Sequence, residues 1–299
     1  MPYTELFLGF LIALSVCWFC MKRTLLCFIT CVATITACAM EMYGGYPVWV
    51  CLLIFAGVWL ALAAIAFAFL WFVCQIVDLE KEQTHDNKFY RAVMSIYIEA
   101  LKSLVLIRLH TSGLEKIPQE GRFLLVCNHL FLADPALLLH VFPKSELAFI
   151  TKKENQQMFL VGKIMHKILC QPLDRDNDRA ALKTILKCIQ LLKDDEVSIG
   201  VFPEGYTSKD GKLHPFRAGV FKIAQKANVP IVVCTIQNTR QIFNNLVKLK
   251  KTDIELHLVD VIPAEALKGK TTAQISDMVY DMMINDLGES FRMDPEQTT

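Results

Sequence analysis

The sequence predicts an α/β protein whose mixed, largely parallel sheet is flanked by helices and preceded by N-terminal transmembrane helices. Residues 1–77 contain four charged side chains, and the other 57 charged residues lie in residues 78–299. From residue 121 onward, short apolar runs typical of strands alternate with helical patterns, which indicates a sheet covered by helices. A hydrophobic fraction of 54% excludes a disordered chain, and a net charge of +1 argues against a nucleic-acid partner.

The first 77 residues contain three apolar runs, at residues 6–20, 25–40 and 48–77. A single helix through the first two runs would bury Lys22 and Arg23 in the bilayer, which is energetically expensive. We therefore predict two short spans joined by a turn, each reaching about 20 residues only with its flanks. The third run is longer than the roughly 30 Å hydrocarbon core requires, so it should tilt or extend into the interface.

The charge distribution predicts the orientation of these spans. The positive-inside rule places Lys22 and Arg23 in the cytoplasm, with the N-terminus and the turn at residues 43–47 outside. Everything after Asp78 then lies on the cytoplasmic face of a bacterial inner membrane or of the endoplasmic reticulum. A re-entrant hairpin is the alternative for the first two runs. A cleaved signal peptide fits poorly, because no basic segment precedes the first run.

The chain is predicted to contain three regions. They are a transmembrane region at residues 1–77, a linker with an interfacial amphipathic helix at residues 78–110, and a cytoplasmic α/β domain at residues 111–299. The interfacial helix, at residues 89–109, combines apolar positions at helical spacing with interspersed basic residues. This pattern favours a helix on the membrane surface, although a helix packed on the domain core would show it too.

The α/β domain contains nine segments whose periodicity identifies them as strands or helices. The predicted strands are residues 122–127, 147–151, 197–201, 231–237 and 254–261, and the predicted helices are residues 135–141, 179–192, 217–227 and 273–287. Apolar residues recur at helical spacing in the second of these helices, behind Asp178 as its N-cap.

A histidine and an aspartate stand where the first strand of the domain leads into its first helix. His129 follows the strand, and Asp134 and Pro135 begin the helix, where Asp can cap and Pro fits the first turn. On one continuous helix the two side chains would lie about 140° apart, but a strand–loop–helix junction lets them meet. Asp134 would then accept one ring N–H and leave the other nitrogen as a base. The pair alone equally allows a loop histidine beside an ordinary helix cap.

A second polar segment, residues 202–208, follows the strand at residues 197–201. Gly205 permits a tight turn, and the hydroxyls and amides that follow, at Tyr206 and Thr207, can hold an oxyanion such as phosphate. Between the two segments Arg175 could also bind phosphate, or could form a surface ion pair. Because functional sites of open α/β sheets favour the carboxyl ends of strands, we expect a site that combines these loops.

Taken together, these residues resemble the glycerolipid acyltransferase family, whose best-known members are the 1-acylglycerol-3-phosphate acyltransferases. That family carries N-H-x-x-x-x-D, then a block ending in Arg, then F-P-E-G-T-R-S, and finally a V-P-I-V-P-V-like strand. The resemblance covers roughly residues 100–265, and its blocks occur in the family's order at Asn128, His129 and Asp134, at Arg175, and at residues 202–208, 216–222 and 229–234.

The chain departs from the family pattern at four places. Pro172 stands where an aromatic residue is usual, Tyr206 replaces the Thr and Thr207 replaces the Arg of the third block, and the last block lacks its second Pro. The missing Arg leaves the acceptor headgroup open. A nearby basic residue could replace it, and the candidates are Lys209, Lys212 and Arg217.

The resemblance implies acyl transfer from acyl-CoA or acyl carrier protein to the free hydroxyl of a lysoglycerolipid. His129 would act as general base and Asp134 would orient its imidazole. The substrate-binding residues would be Asn128, Arg175, Glu204, Gly205, Tyr206 and Thr207, with Arg175 on the acceptor's phosphate. Membrane lipids and a lysophospholipid acceptor are the expected partners, with the acyl donor as co-substrate. Neither a cofactor nor a metal ion is expected.

Three other functions compete with this interpretation. A hydrolase could use Ser208 with His129 and Asp134 as a triad, although Ser208 does not lie on the strained elbow of that class. A metal site could use His129, Asp134 and Glu204, although scattered ligands without a compact motif argue against it. The altered third block also allows a membrane-anchored lipid-binding protein that has lost catalysis.

Overall fold

A computed structural model describes residues 25–174 and 177–293, which form two compact units. The first unit contains residues 25–78 and 92–104, and the second contains residues 79–91 together with residues 105 onward. The first predicted span, at residues 6–20, and the turn that carries Lys22 and Arg23 lie outside the described residues. Arg175 lies outside them as well.

The first unit is built from long apolar helices. Helix α1 spans Leu25–Gly44 and helix α2 spans Val48–Gln75, and both are long and apolar enough, by length and composition, to cross a membrane. Within the pair, the indole of Trp59 donates to the hydroxyl of Thr30 over 3.2 Å. Most apolar side chains of α2 are exposed. Exposing this apolar surface to water would cost free energy, whereas contact with lipid chains would not. The second and third predicted runs are therefore helices that qualify as candidate spans.

The second unit contains a seven-stranded sheet in the order β1-β7-β6-β2-β5-β3-β4. The strands are β1 (Ile107–Ser112), β2 (Leu124–Cys127), β3 (Ala148–Lys152), β4 (Gln171–Leu173), β5 (Ile199–Val201), β6 (Ile231–Gln237) and β7 (Thr252–Ile262). All neighbouring strands pair in parallel except β6 and β7, so β1 and β7 run opposite to the other five. The prediction of a mixed, largely parallel sheet is thus confirmed.

Helices connect and cover these strands. Helix α3 (Lys88–Leu104) leads into β1, and the later helices are α4 (Asp134–Val141), α5 (Val161–Lys167), α6 (Asp178–Lys193), α7 (Lys222–Ala227), α8 (Ile242–Val247) and α9 (Thr272–Leu287). The core lies along β2, where every residue is buried, and along β5, which is also wholly buried. Parallel strands covered on both faces are expected to read as continuous apolar runs, as these do.

Several predicted boundaries need correction. The helix predicted at residues 89–109 ends at Leu104, after which Leu106 takes a left-handed conformation (φ 58°) and β1 begins. Strand β1 was missed because it continues an apolar pattern, and β4 was missed because it has only three residues. The helix predicted at residues 217–227 is a 3₁₀ turn followed by α7.

Two predicted helix caps are wrong. The N-cap of α6 is Asn177 rather than Asp178, and its side chain accepts a 3.1 Å hydrogen bond from the amide of Ala180. Asp134 lies inside the first turn of α4, and its carboxylate does not cap that helix. It turns back instead towards the loop that follows β2.

The sheet brings the two polar segments of the sequence to one edge. Strand β2 lies between β5 and β6 and runs parallel to both, so the carboxyl ends of these three strands meet. The loop after β2 carries His129, and the loop after β5 carries Glu204. This is the edge at which open α/β sheets form their sites.

We predict that Gly200→Ala destabilises the protein by about 1–3 kcal/mol, the range for overpacking a well-packed core. Gly200 pairs with Phe149 across β5 and β3, and a Cβ there would lie 2.4–2.8 Å from three ring carbons of Phe149. The Phe149 ring is buried and stacks on Phe202 with centroids 5.5 Å apart, so it has little freedom to move. Thermal unfolding of the full chain in detergent measures the change.

The matched control is Gly219→Ala, because a Cβ at Gly219 meets nothing within 4 Å. We expect this variant to unfold close to the wild-type temperature. Equal stability of the two variants would contradict the packing argument.

Candidate active site

The imidazole of His129 is held by the carboxylate of Asp134. One carboxylate oxygen, Oδ2, accepts hydrogen bonds from His129 Nδ1 at 2.9 Å and from the amides of Leu130 and Phe131, both at 2.7 Å. Asp134 is completely buried. The contact predicted between His129 and Asp134 is confirmed. Because the carboxylate can only accept, the Nδ1 of a neutral imidazole carries the proton and Nε2 keeps its lone pair.

The free nitrogen of His129 faces a partly open position. The side chain is 15% exposed, and among the described residues none forms a hydrogen bond to Nε2. The ring lies against Phe202, with centroids 4.2 Å apart and planes 21° apart. Stacking on one side and the Asp134 hydrogen bond at Nδ1 fix the ring plane, so Nε2 points in one defined direction.

The backbone of His129 is bound by the neighbouring loop on both sides. Its amide donates to Oε1 of Glu204 over 2.9 Å, and its carbonyl accepts from the amide of Ser208 over 2.8 Å. The two predicted segments therefore form one connected structure. Sequence reasoning placed Glu204 among the substrate-binding residues, and the structure shows that its carboxylate also joins the loops.

Glu204 joins its own loop to the backbones of His129 and His214, although only 1% of its surface is exposed. Besides binding the amide of His129, it accepts a 3.0 Å hydrogen bond from the amide of His214 through Oε2. Burial raises the pKa of Glu204 to about 7, more than the two amide donors lower it, and the charges of Asp134 and Asp210 raise it further. The carboxyl group whose pKa burial raises to about 7 is thus the one that binds the loop carrying His129.

Asn128, predicted to bind substrate, is occupied by the fold instead. Its Oδ1 accepts from the amide of Ile236 at 2.8 Å, and its Nδ2 donates to the carbonyl of Ile236 at 2.9 Å. The side chain is 2% exposed, so it ties β2 to β6. We correct its role to that of a residue that positions His129. No sequence pattern predicts this role, because the partner is a backbone group more than 100 residues away.

The side chain of Arg217 lies at the turn around Gly205. Sequence analysis named Arg217 only as one of three candidates to replace the arginine that the third block lacks. Gly205 has φ +84°, and a Cβ on it would lie 2.8 Å from Nε of Arg217. The Arg217 side chain therefore packs directly on this turn. Arg217 is exposed, and no carboxylate of the described residues pairs with its guanidinium. In the sequence, the feature that points to Arg217 is its place in the family block at residues 216–222.

The other predicted residues of this loop point outward. Tyr206 is 45% exposed and lies edge-to-face against the ring of His214, with centroids 5.2 Å apart. Burial raises the pKa of the Tyr206 phenol, and the nearby Arg217 opposes that shift. Thr207 is exposed. These two side chains replace the family's Thr and Arg, so they give this surface its own chemistry.

Ser208 and Glu204, which the competing hydrolase and metal interpretations use, are bound by neighbouring groups. The hydroxyl of Ser208 donates to Asp210 at 2.8 Å and accepts from the amide of Gly211 at 3.0 Å, so its proton is bound by Asp210 and not by the imidazole, as a triad would require. Each oxygen of Glu204 accepts a hydrogen bond from a backbone amide, so this carboxylate serves the loops. Over residues 25–174 and 177–293, no group of three or more His, Cys, Asp or Glu side chains is placed to hold a metal.

Comparison with known proteins agrees with this geometry. Residues 108–237 match the profile of the Acyltransferase family, a region that contains the loops of both His129 and Glu204. Residues 108–237 therefore form an acyltransferase domain.

Two relatives illustrate the similarity. A 1-acyl-sn-glycerol-3-phosphate acyltransferase of Cocos nucifera is 28% identical over 170 residues, covering 56% of this chain and 55% of its own length. A chloroplastic 1-acyl-sn-glycerol-3-phosphate acyltransferase of Brassica napus is 34% identical over 131 residues, covering 44% of this chain and 37% of its own length. The chain spans between 55% and 63% of the length of the first three curated relatives it matches.

A solved structure shares the fold. The 1-acyl-sn-glycerophosphate acyltransferase PlsC of Thermotoga maritima aligns with a TM-score of 0.57 at 21% identity, covering 89% of this chain and 97% of that chain. At this level of identity the likeness concerns the fold alone.

We predict that Glu204→Gln destabilises the protein by about 1–3 kcal/mol. Either oxygen of a carboxyl group can accept a hydrogen bond, protonated or not, whereas the NH₂ group of glutamine cannot, so the amide of His129 or His214 is left unpaired. The loss depends on pH. In the wild type, the folded-state pKa of about 7 lies above the ordinary value of 4.5, so the contribution of protonated Glu204 is complete below pH 4.5 and is lost as the pH rises through about 7. The difference between wild type and variant should therefore shrink over this window.

Thermal unfolding of both proteins in detergent, from pH 4.5 to pH 8, provides the measurement. Two unfolding curves that stay the same distance apart at every pH would show that Glu204 does not titrate in this range.

Proposed function

We propose that this protein transfers a fatty acyl group from a thioester of coenzyme A or acyl carrier protein to the free hydroxyl of a lysoglycerolipid. The acceptor that fits the family best is 1-acyl-sn-glycerol-3-phosphate, which would give phosphatidate. The observation that carries the proposal is the oriented His129–Asp134 pair, whose Nε2 is unoccupied at the carboxyl edge of the sheet. The named relatives support the acceptor, since they are 1-acyl-sn-glycerol-3-phosphate acyltransferases.

In the proposed reaction, Nε2 of His129 takes the proton of the acceptor hydroxyl. The oxygen attacks the thioester carbonyl, and the C–S bond breaks as the ester forms. The imidazolium returns its proton to the leaving thiolate, so that free thiol is released and the enzyme is restored. Asp134 stabilises the imidazolium throughout, because its buried Oδ2 lies 2.9 Å from Nδ1.

The phosphate of the acceptor needs a cation, and two arginines qualify. Arg175 is the residue that the family pattern assigns. Arg217 is a second cation, packed against Gly205 on the loop whose Glu204 binds the amide of His129. A guanidinium can bind phosphate in bidentate fashion, which fixes the orientation of the glycerol hydroxyl as well as its distance. Arg217 would then replace the arginine that the third block lacks at Thr207.

The helices α1 and α2 give the proposed reaction its location. We propose that they anchor the chain in a membrane with the α/β unit on the cytoplasmic face, the side that Lys22 and Arg23 favour. The acyl donor and the lysolipid both partition to the bilayer surface. Anchoring a site there raises their local concentration and limits their orientations.

A different lysophospholipid acceptor is the second candidate, and Tyr206 and Thr207 are the observation that favours it. An aromatic hydroxyl and a threonine in place of threonine and arginine change the charge beside the acceptor site. A panel of lysolipids offered to the purified protein in detergent, with one labelled acyl donor and chromatographic separation of products, distinguishes the two candidates. The absence of product with every acceptor would indicate a lipid-binding protein that has lost catalysis.

We predict that His129→Ala lowers kcat about 10²–10⁴-fold, the usual contribution of a general base. The assay is acyl transfer by full-length protein in detergent, with thermal unfolding to verify the fold. His85→Ala is the matched control, because His85 is a surface histidine bonded to Glu196. Near-normal turnover of a folded His129→Ala protein would remove His129 from the mechanism.

We predict that Arg217→Ala and Arg175→Ala each raise the KM for a phosphate-bearing acceptor about tenfold or more, the effect of losing a hydrogen bond to a charged group. The KM for the acyl donor should not change. Arg217→Lys should recover part of the affinity, since it keeps the charge but loses the bidentate geometry. Monoacylglycerol, which has no phosphate, serves as the control acceptor. An equal loss with monoacylglycerol would contradict the phosphate role.

A further inference from the structure

Helix α8 and the turn after it present apolar side chains to the solvent. The exposed fractions are 65% for Phe243, 70% for Val247 and 83% for Leu249. Phe243 and Val247 are four residues apart and therefore share one face of the helix, while Ile242 is buried on the other side. We call this surface, together with Lys248, Lys250 and Lys251, the α8 patch.

The charge around these apolar side chains is mostly positive, and the nearest carboxylate in sequence is that of Asp253, beside Lys251. Residues 238–252 contain Arg240 and the three lysines of the α8 patch, and no aspartate or glutamate. All three lysines are exposed. An apolar surface bordered mainly by cations is complementary to a lipid surface, which is apolar inside and anionic at its boundary.

The turn after α8 keeps Leu249 exposed although its backbone conformation is unfavourable for leucine. Leu249 has φ +51°, a left-handed conformation that is unfavourable for a side chain with a Cβ. The turn is fixed by hydrogen bonds, from the amides of Lys248 and Lys250 to the carbonyl of Asn245 and from the amide of Leu249 to the carbonyl of Leu246. The fold thus keeps an apolar side chain exposed at a position where glycine or asparagine would be less strained.

The α8 patch belongs to the same edge of the sheet as the catalytic pair. Helix α8 follows the carboxyl end of β6, whose Ile236 is bound by Asn128. Between them, the guanidinium of Arg240 donates to the carbonyl of Lys209, in the segment that follows Thr207 and Ser208. Leu132, in the loop after His129, is 64% exposed at this edge as well.

We infer that the α8 patch docks on an anionic lipid surface. Phe243, Val247 and Leu249 would enter the headgroup region, and the lysines would lie at the level of the lipid phosphates. The carboxyl edge of the sheet would then face the surface that holds the lysolipid and the acyl donor. The surface is a second membrane contact, distinct from α1 and α2, and its lipid preference is a property of the second unit itself.

The first test measures amide hydrogen exchange of the full-length protein in detergent and in nanodiscs of phosphatidylcholine with or without phosphatidylserine. We expect peptides that cover residues 241–251 to exchange about threefold or more slowly in the anionic discs than in the neutral ones, the selectivity that surface lysines give. Equal exchange in both discs would overturn the inference. Slow exchange that appears in detergent and grows with protein concentration would also overturn it, since a second copy would then be the occupant.

The second test uses two triple variants, Phe243→Ser with Val247→Ser and Leu249→Ser, and Lys248→Glu with Lys250→Glu and Lys251→Glu. The control is Leu182→Ser with Leu186→Ser, which removes two leucines of similar exposure, 54% and 56%, from α6. We expect both triple variants to lose about tenfold in kcat/KM on lysolipid in anionic vesicles, and the control to keep its rate. All proteins should act equally on a water-soluble, short-chain acceptor.

An equal fall on vesicles and on the soluble acceptor would overturn the inference, because it would reveal general damage to the fold. The rate test rests on the proposed acyl transfer, but the exchange test does not. If no acceptor is acylated in any format, the proposed function fails, while the exchange test still decides whether the α8 patch binds anionic lipid.

Discussion

The binding of one loop's backbone by the neighbouring loop is the interaction on which the site depends. Glu204 and Ser208 follow β5, and they hold the amide and the carbonyl of His129, which follows β2. Because β2 and β5 are parallel neighbours, their carboxyl ends are adjacent, and the two loops can share hydrogen bonds without long side chains. These hydrogen bonds fix the position of the imidazole relative to the sheet. Asn128 adds the same restraint towards β6.

Two buried carboxylates have different tasks in this arrangement. Asp134 uses one oxygen for the imidazole and for two amides of its own loop, so it fixes the direction of the ring. Glu204 uses its two oxygens for amides of two different segments, so it fixes the position of the loop. Burying a carboxylate is unfavourable unless donors compensate, and here every bond to Glu204 is a backbone amide. Orientation and position are therefore controlled separately.

The sequence predicted the parts of this site that depend on residue type and spacing, and missed those that depend on backbone partners. His129, Asp134 and the sheet edge follow from a strand, a loop and a helix start. The strands with clear apolar runs were found, whereas β1 and the three-residue β4 carry too little periodicity. The role of Asn128 could not be read because Ile236 contributes only main-chain atoms, whose position depends on the sheet order.

The packing of Arg217 on Gly205 restricts how this surface can diverge. The backbone at position 205 takes φ +84°, which disfavours any residue other than glycine, and a Cβ there would also displace the side chain of Arg217, whose Nε would lie 2.8 Å away. Glycine is therefore favoured at position 205, and in the proposed function a change of headgroup preference would come through Tyr206, Thr207 and Arg217 instead. A library designed to redirect this protein to a neutral acceptor should keep the glycine fixed and diversify those three neighbours together.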